Sequence, residues 1–379
     1  MDPEAYRGRE QTYAKHLFLE LYLERVAFHI AYAQSDFVYV DGFSGPWKAA
    51  GESLEDTSFM IAIRKLRYVR EALGKAGKAP RMRCVFIEAD KSRFEALENA
   101  TKSAARLQTR AIFGEFEALV PEILAIIGTG FSLVFIDPTG WQGFSMDRIR
   151  PILAQPRGEV IVNFMYDYIN RFLNDPRPEI EASFDQLFGT NDWRLLRSAE
   201  DREEIVQFYS EQLRTSGHFR FVTFTPIFKP LADRPYFYLI YCTRSIRGLL
   251  EFRKSEKRSL PDRQKLREKA KQTARISRTG QFELYSASEI DASDIFNEYR
   301  TANLQRADNI FAENLRPGSC ITYEELLGAL LALPYVWESD VKRMIAVARE
   351  RGDLMIEGLS PRQRVPRLQS TLCGTGKEQ

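Results

Sequence analysis

The spacing of apolar and polar positions changes along the chain, and those changes divide it. Residues 10–33, with apolar positions at Leu17, Leu21 and Leu23, read as an amphipathic helix. A short β-branched and aromatic run follows, Phe37-Val-Tyr-Val-Asp41. Similar runs come at Arg83–Asp90, more weakly at Arg110–Phe113, and again at Phe131–Gly140 and Glu159–Phe164. Helix-compatible stretches separate them, at 57–77, 91–104, 115–127 and 145–155. Strands alternating with helices predict a parallel sheet, and near-continuous apolarity within the strands predicts burial on both faces.

After Phe164 the pattern turns into a polar, helical, aromatic-rich block over 166–217. Two strand-like runs follow, Phe219–Phe228 and Tyr236–Thr243, and the short joining loop Lys229-Pro-Leu-Ala-Asp233 predicts an antiparallel hairpin. The expected fold is therefore α/β, a Rossmann-like sheet of five parallel strands plus a C-terminal hairpin, with a helical insertion before the hairpin. Another helical pattern lies near 292–315, and a last unit runs from about 318 to 373. In that unit Tyr323–Leu331 and Glu338–Arg351 read as helices and Asp353–Glu357 as a strand. The basic segment Arg362-Gln-Arg-Val-Pro-Arg367 then precedes a second strand, the order of a winged-helix domain. The boundaries that follow are 1–255 for the sheet domain, 256–316 for a basic helical linker and 317–379 for the winged-helix-like unit.

Composition narrows the class. A chain of 379 residues, 44% hydrophobic and 28% charged, suits a globular protein of two or three domains. No apolar run reaches the roughly 18 residues that cross a bilayer, and the polar N-terminus lacks a signal-peptide core, so no membrane association and a cytoplasmic location are expected. Four dispersed cysteines and three histidines argue against a metal site and against a disulfide framework. Charge matters through its placement. Arg253–Arg278 holds eleven Lys or Arg against three acids, a net +8, which leaves −6 for the rest of a chain whose total is +2. Such asymmetry suggests a local contact with a polyanion, or a solvated helical face.

In open α/β sheets ligands settle beyond the carboxyl ends of the strands, where the strand order reverses. Four strand ends here present acids. Asp41 is followed by Phe43 and Gly45, a turn in which glycine lets backbone approach a ligand. Glu88 ends the second strand, where a carboxylate can receive both hydroxyls of a ribose. Glu115 follows the third and could accept from an adenine amino group, with Phe116 packing on the ring. The fourth strand ends in Asp137-Pro138-Thr139-Gly140. Together they favour a nucleoside-bearing ligand. A dinucleotide would require G-x-G-x-x-G at the first turn, where this chain has Gly42-Phe-Ser-Gly45-Pro-Trp47. S-adenosylmethionine, which has no phosphate, is the better expectation.

Several blocks resemble the three-Cys-motif partner (TcmP) family, a bacterial group of class I methyltransferase-like proteins. They are Tyr13-Ala-Lys-His16, Tyr39-Val-Asp-Gly-Phe-Ser-Gly-Pro46, Phe135-Ile-Asp-Pro-Thr-Gly140, Leu187-Phe-Gly-Thr190 with Trp193, and Tyr236-Phe-Tyr-Leu-Ile-Tyr241, over about residues 10–255. This chain departs from the family pattern at Ser44, where alanine is usual, at Trp47, where glycine is usual, and at Thr139, where an aromatic residue is usual. The resemblance implies S-adenosylmethionine as cofactor and a separate partner protein bearing a three-cysteine motif. It also places Lys15 and His16 at the entrance of the site. Asp-Pro at the fourth strand resembles the motif of amino-methyltransferases, in which Asp137 and Pro138 would hold an exocyclic amine. Thr139, Trp141 and Tyr166 would then meet a base taken out of its helix. Nucleic acid is the expected substrate, contacted by Arg343, Arg349 and Arg351 on a recognition helix and by Arg362, Arg364 and Arg367 on a wing. The alternative is a catalytically inert cofactor-binding or DNA-binding subunit that works with the three-cysteine-motif protein.

Overall fold

The computed structural model describes residues 2–34, 36–45, 54–102, 107–201, 203–279, 295–358 and 365–375. Seven strands build one mixed sheet: β1 (Asp36–Asp41), β2 (Arg81–Glu88), β3 (Gln108–Phe113), β4 (Phe131–Ile136), β5 (Gly158–Phe164), β6 (Phe221–Phe228) and β7 (Pro235–Thr243). Their spatial order is β3-β2-β1-β4-β5-β7-β6. The first five run parallel, and β7 lies antiparallel between β5 and β6. The predicted parallel sheet and its hairpin are both present.

Successive side chains of a strand face opposite sides, so a strand covered on both faces must be apolar at every position. Val38, Val40, Val85 and Ile87 join one core. It is covered by α4 (Val120–Ile127), α5 (Met146–Leu153), α7 (Pro178–Phe188) and α8 (Glu204–Gly217). Phe37, Tyr39, Cys84 and Phe86 join the other, beneath α1 (Glu10–Ala33), α2 (Ser58–Lys75), α3 (Lys91–Lys102) and α9 (Ile246–Thr279). Edge strand β3 is largely exposed, which is why its sequence signal is weak. The block after β5 is the expected helical insertion: α6 (Tyr166–Phe172), α7, a 3₁₀ turn at Asp192–Ser198 and α8.

The basic stretch is one helix, α9, and its arginines do not all face solvent. Arg253, Arg263 and Arg267 are buried. Arg263 donates to the carbonyl of Pro226 and to Tyr335 Oη at 3.0 Å, and Arg267 Nε donates to the carbonyl of Lys229 at 3.0 Å. Part of the charge that suggested a polyanion contact is thus spent inside the molecule, on carbonyls of the β6–β7 hairpin.

Beyond α9 come α10 (Ile295–Asn314), β8 (Cys320–Thr322), α11 (Tyr323–Leu331), α12 (Glu338–Arg351), β9 (Leu354–Ile356) and β10 (Thr371–Gly374), with the three strands ordered β8-β10-β9. Thr322 and Glu325 form a capping box that starts α11. This unit packs on β6 and α9 through Phe221, Ile246 and Leu249. Cys320 and Cys373 stand opposite each other on β8 and β10 and are joined as a disulfide. The absence of a disulfide expected from cysteine spacing is corrected here: strand pairing brings together two residues 53 apart in sequence, which no spacing motif encodes.

Candidate functional site

Parallel strands end on the same edge of a sheet, so the order β3-β2-β1-β4-β5 fixes a row of side chains. Glu115 follows β3, Glu88 ends β2, Asp41 ends β1, Asp137 follows β4 and Asn163 lies near the end of β5. The four acids read from the sequence therefore stand at the ends of four neighbouring strands. β1 and β4 flank the point where the order reverses.

The turn after β1 is laced to both neighbours. Gly42 N donates to Phe135 O at 2.9 Å, and Ser44 N donates to Ile87 O at 2.8 Å. Ser44 Oγ donates to Asp41 O at 2.9 Å, so its hydroxyl closes the turn. Two glycines here are required by space. A Cβ on Gly42 would lie 2.8 Å from the Phe116 ring, and one on Gly45 would lie 1.9 Å from Glu88 Oε2. Phe116 is buried against Gly42 and against Phe43, whose ring centroid is 5.7 Å away. Glu115 beside it is exposed. Glu88 is buried; its Oε1 accepts from Asp90 N at 2.7 Å and meets Arg93 at 3.1 Å. Trp47 and Pro46 lie outside the described residues.

Asp41 is fully enclosed, accepting from Phe43 N at 3.2 Å and from Ser58 Oγ at 2.7 Å. Burial above all pushes its carboxyl up to about 6; the Ser58 hydrogen bond opposes this and the negative charge of Asp137 adds to it. The folded value lies above the ordinary 3.8, so the neutral carboxyl favours the folded state. That contribution is complete below about 3.8 and is lost as pH rises through about 6. Asp41→Asn, which stays neutral, is expected to gain on the wild type by about 2 kcal/mol as pH rises from about 4.5 to about 8. Urea melts of both proteins at the two pH values test this; parallel pH profiles would refute it.

Asp137 is the best-held member of the row. Its Oδ2 meets Lys15 Nζ at 2.5 Å, and its Oδ1 accepts from Asn163 Nδ2 at 2.6 Å. Both Asp137 and Lys15 side chains are only 11% exposed. Asn163 is buried, and its Oδ1 has no hydrogen-bond partner among the described residues. Lys15 therefore stands against Asp137 itself, carried there by α1 from 122 positions away. His16 turns elsewhere: its Nδ1 lies 3.1 Å from Tyr6 Oη, and burial holds its pKa far below the ordinary value, with Lys15 and Arg9 adding to the effect. Pro138 is buried and Thr139 exposed. Trp141 donates from Nε1 to Ser183 Oγ at 2.9 Å and packs on Phe172 and Phe184, while Tyr166 is buried edge-on to Tyr238. The rings read as base platforms thus have protein neighbours.

The arginines read as nucleic-acid contacts stand apart from this row. Arg343 and Arg349 are exposed on α12 with Arg351, and Arg367 is exposed before β10. Arg343 also meets Asp340 at 3.5 Å. Arg362 and Arg364 lie outside the described residues.

No protein-family model matches the sequence, and no curated protein matches it. Among solved structures, protein LPL1258 from Legionella pneumophila, of the family model DUF519, aligns with a TM-score of 0.38 at 10% identity, over 60% of this chain and 84% of that one. The O-methyltransferase TomG from Streptomyces achromogenes, solved with SAM, aligns at 0.33 and 16% identity, over 59% and 78%. An O-methyltransferase from Bacillus cereus, solved with SAH, aligns at 0.31 and 13% identity, over 60% and 80%.

Proposed function

We propose that this chain is a methyltransferase that uses S-adenosylmethionine and transfers a methyl group to an amino group of a nucleic-acid base. One observation carries the reading: Glu115, Glu88, Asp41 and Asp137 stand in a row at the ends of β3, β2, β1 and β4, with Asp137 beside the point where strand order reverses. The residues suit a cofactor made of a nucleoside and an amino acid. The glycine cradle at Gly45 faces the Glu88 carboxylate, the acceptor suited to a ribose diol. Asp41 and its turn lie between that carboxylate and Asp137, on the path from ribose to the reacting centre. Glu115 and Phe116 adjoin the adenine end.

The cofactor supplies a methyl group on a sulfonium, so the protein's task is chiefly to position the acceptor. Asp137 would accept a hydrogen bond from the exocyclic amine and the Pro138 carbonyl a second, which would keep the nitrogen lone pair free for the methyl group that the cofactor supplies; the N–H proton given up on transfer would pass to water. Lys15 and Asn163 fix the Asp137 carboxylate from two sides. Thr139, exposed next to Pro138, borders the base. The C-terminal unit supports a nucleic-acid substrate: its β8-α11-α12-β9-β10 order is that of a winged helix. In that arrangement α12, with Arg343 and Arg349, serves as the recognition helix, and Arg367 belongs to the wing.

Isothermal calorimetry is expected to show saturable S-adenosylmethionine binding, and labelled methyl groups are expected in nucleic acid; absence of binding ends the proposal. In the same assay Gly45→Ala is expected to weaken cofactor binding by at least about tenfold, about 1.4 kcal/mol. Its methyl group must displace either the turn or the Glu88 carboxylate. Unchanged affinity in that variant would remove Glu88 and Gly45 from the cofactor site.

A further inference from the structure

Next to the candidate centre, α6 and the β6–β7 loop place three cations around one acid. Asp167, whose side chain is 4% exposed, accepts from Lys229 Nζ at 2.8 Å and from Arg234 Nη1 at 2.6 Å, and Arg171 Nη2 stands 3.6 Å away. One carboxylate against three cations leaves the cluster at +2. Arg171 and Arg234 keep 61% and 55% of their side-chain surface in solvent, so this excess charge is presented outward. Two half-buried tyrosines interleave with it. Arg171 lies over the Tyr168 ring at 5.6 Å, Lys229 lies over the Tyr236 ring at 5.4 Å, and the two ring centroids are 6.5 Å apart. Leu231 is 61% exposed at the tip of the same loop.

The cluster is joined to the candidate centre by contact. Lys15, the partner of Asp137, lies 5.9 Å from the Phe237 ring, and Phe237 stands 5.5 Å from the Tyr236 ring. The loop is also held firmly. Buried Arg267 of α9 donates to the carbonyls of Lys229 and Ala232, and both Arg267 and Lys271 meet Asp233. The basic helix thus fixes the position of the loop that presents Lys229 and Arg234.

We infer that this patch, built from Arg171, Lys229, Arg234, Tyr168 and Tyr236, is where single-stranded nucleic acid enters the site, with phosphates on the arginines and an unstacked base on the tyrosines. The inference rests on the methyltransferase reading above and adds where the substrate binds and in which form. Outward guanidinium groups in net excess suit phosphodiesters, and the part of each half-buried tyrosine left in solvent beside them suits a stacked base without regard to sequence. A duplex base would have to leave its stack before reaching Asp137, so a single strand or a bulged base is the form such a patch favours.

The test uses the full chain and a fluorescein-labelled, mixed-sequence single-stranded DNA of about 15 nucleotides, followed by anisotropy from about 50 to about 200 mM salt. The Arg171→Gln/Arg234→Gln double variant is expected to bind at least about tenfold more weakly, with a salt slope smaller by about 1.4, since each lost phosphate contact removes about 0.7. Tyr236→Leu is expected to weaken binding with the slope unchanged, because stacking releases no counterions. Calorimetric S-adenosylmethionine binding is measured on each variant and should match the wild type, which shows that the fold is intact. Wild-type affinity and slope in the double variant would overturn the patch, as would a wild type that binds no oligonucleotide at low salt. Neither result touches the cofactor reading, which falls only if the wild type fails to bind S-adenosylmethionine.

Discussion

Arg253→Ala is expected to release the C-terminal unit from the sheet and to destabilise the chain by about 3–5 kcal/mol. The side chain is 1% exposed and serves several acceptors at once. Its Nε donates to Leu331 O at 2.9 Å, Nη2 to Ala332 O at 3.2 Å and Nη1 to Phe224 O at 3.1 Å. Leu331 ends α11 and Ala332 follows it, so two of these carbonyls belong to the helix C-terminus, whose last carbonyls have no partner inside the helix. Arg253 therefore caps α11 from α9 and supplies a positive charge at the negative end of its dipole.

The same guanidinium meets Glu256 at 2.6 Å. Glu256 is itself enclosed, and its Oε2 accepts from Tyr335 N and Trp337 Nε1, both at 3.1 Å. Truncation to alanine removes a donor from three carbonyls, leaving only the single Thr223 hydroxyl to serve both Leu331 O and Ala332 O, and takes the ion-pair partner from a buried carboxylate. That asymmetry makes breaking a buried pair far more damaging than never having had one. Arg253→Lys, which keeps the charge but loses the planar fork, is expected to fall between the alanine variant and the wild type. Scanning calorimetry with limited proteolysis gives the reading. An early transition, with cleavage near α11, is expected for the alanine variant, and a melt that overlays the wild type would show that the docking does not depend on Arg253.

What the sequence disclosed and what it hid follow one physical line. Phe37–Asp41 and Glu159–Phe164 were legible because a strand covered on both faces must be apolar throughout, and that demand is local. Both runs became strands of the parallel sheet. The acids at Glu88, Asp41 and Asp137 were legible because each follows such a run directly. Long-range pairings were not. Nothing around Lys15 announces a partner at Asp137, and nothing around Cys320 announces Cys373. The count of charges over 253–278 was correct, yet it carried no information on which way each side chain turns. Arg253, Arg263 and Arg267 face inward to carbonyls, so their charge serves packing. The basic and aromatic cluster around Asp167 was likewise dispersed over Tyr168, Arg171, Lys229, Arg234 and Tyr236, and only the meeting of α6 with the hairpin loop assembles it.

Asp137→Ala is expected to lower methyl transfer by at least about a hundredfold, the usual scale for removing one preorganised partner of the reacting group. Cofactor affinity should stay within about threefold, because an interaction made with the acceptor amine leaves cofactor binding untouched. The carboxylate is oriented from both sides, at 2.5 Å by Lys15 and at 2.6 Å by Asn163. Lys15→Met is therefore expected to act through Asp137 as the loss of a positioning residue, lowering kcat while KM for nucleic acid changes little. Combining it with Asp137→Ala should add nothing, since a residue that works only by holding the carboxylate has no effect once the carboxylate is gone. Single-turnover transfer from labelled S-adenosylmethionine, with calorimetric binding on each protein, separates these terms. Undiminished transfer by Asp137→Ala would take the acceptor away from β4 altogether. A double variant far worse than Asp137→Ala alone would give Lys15 a direct contact with substrate.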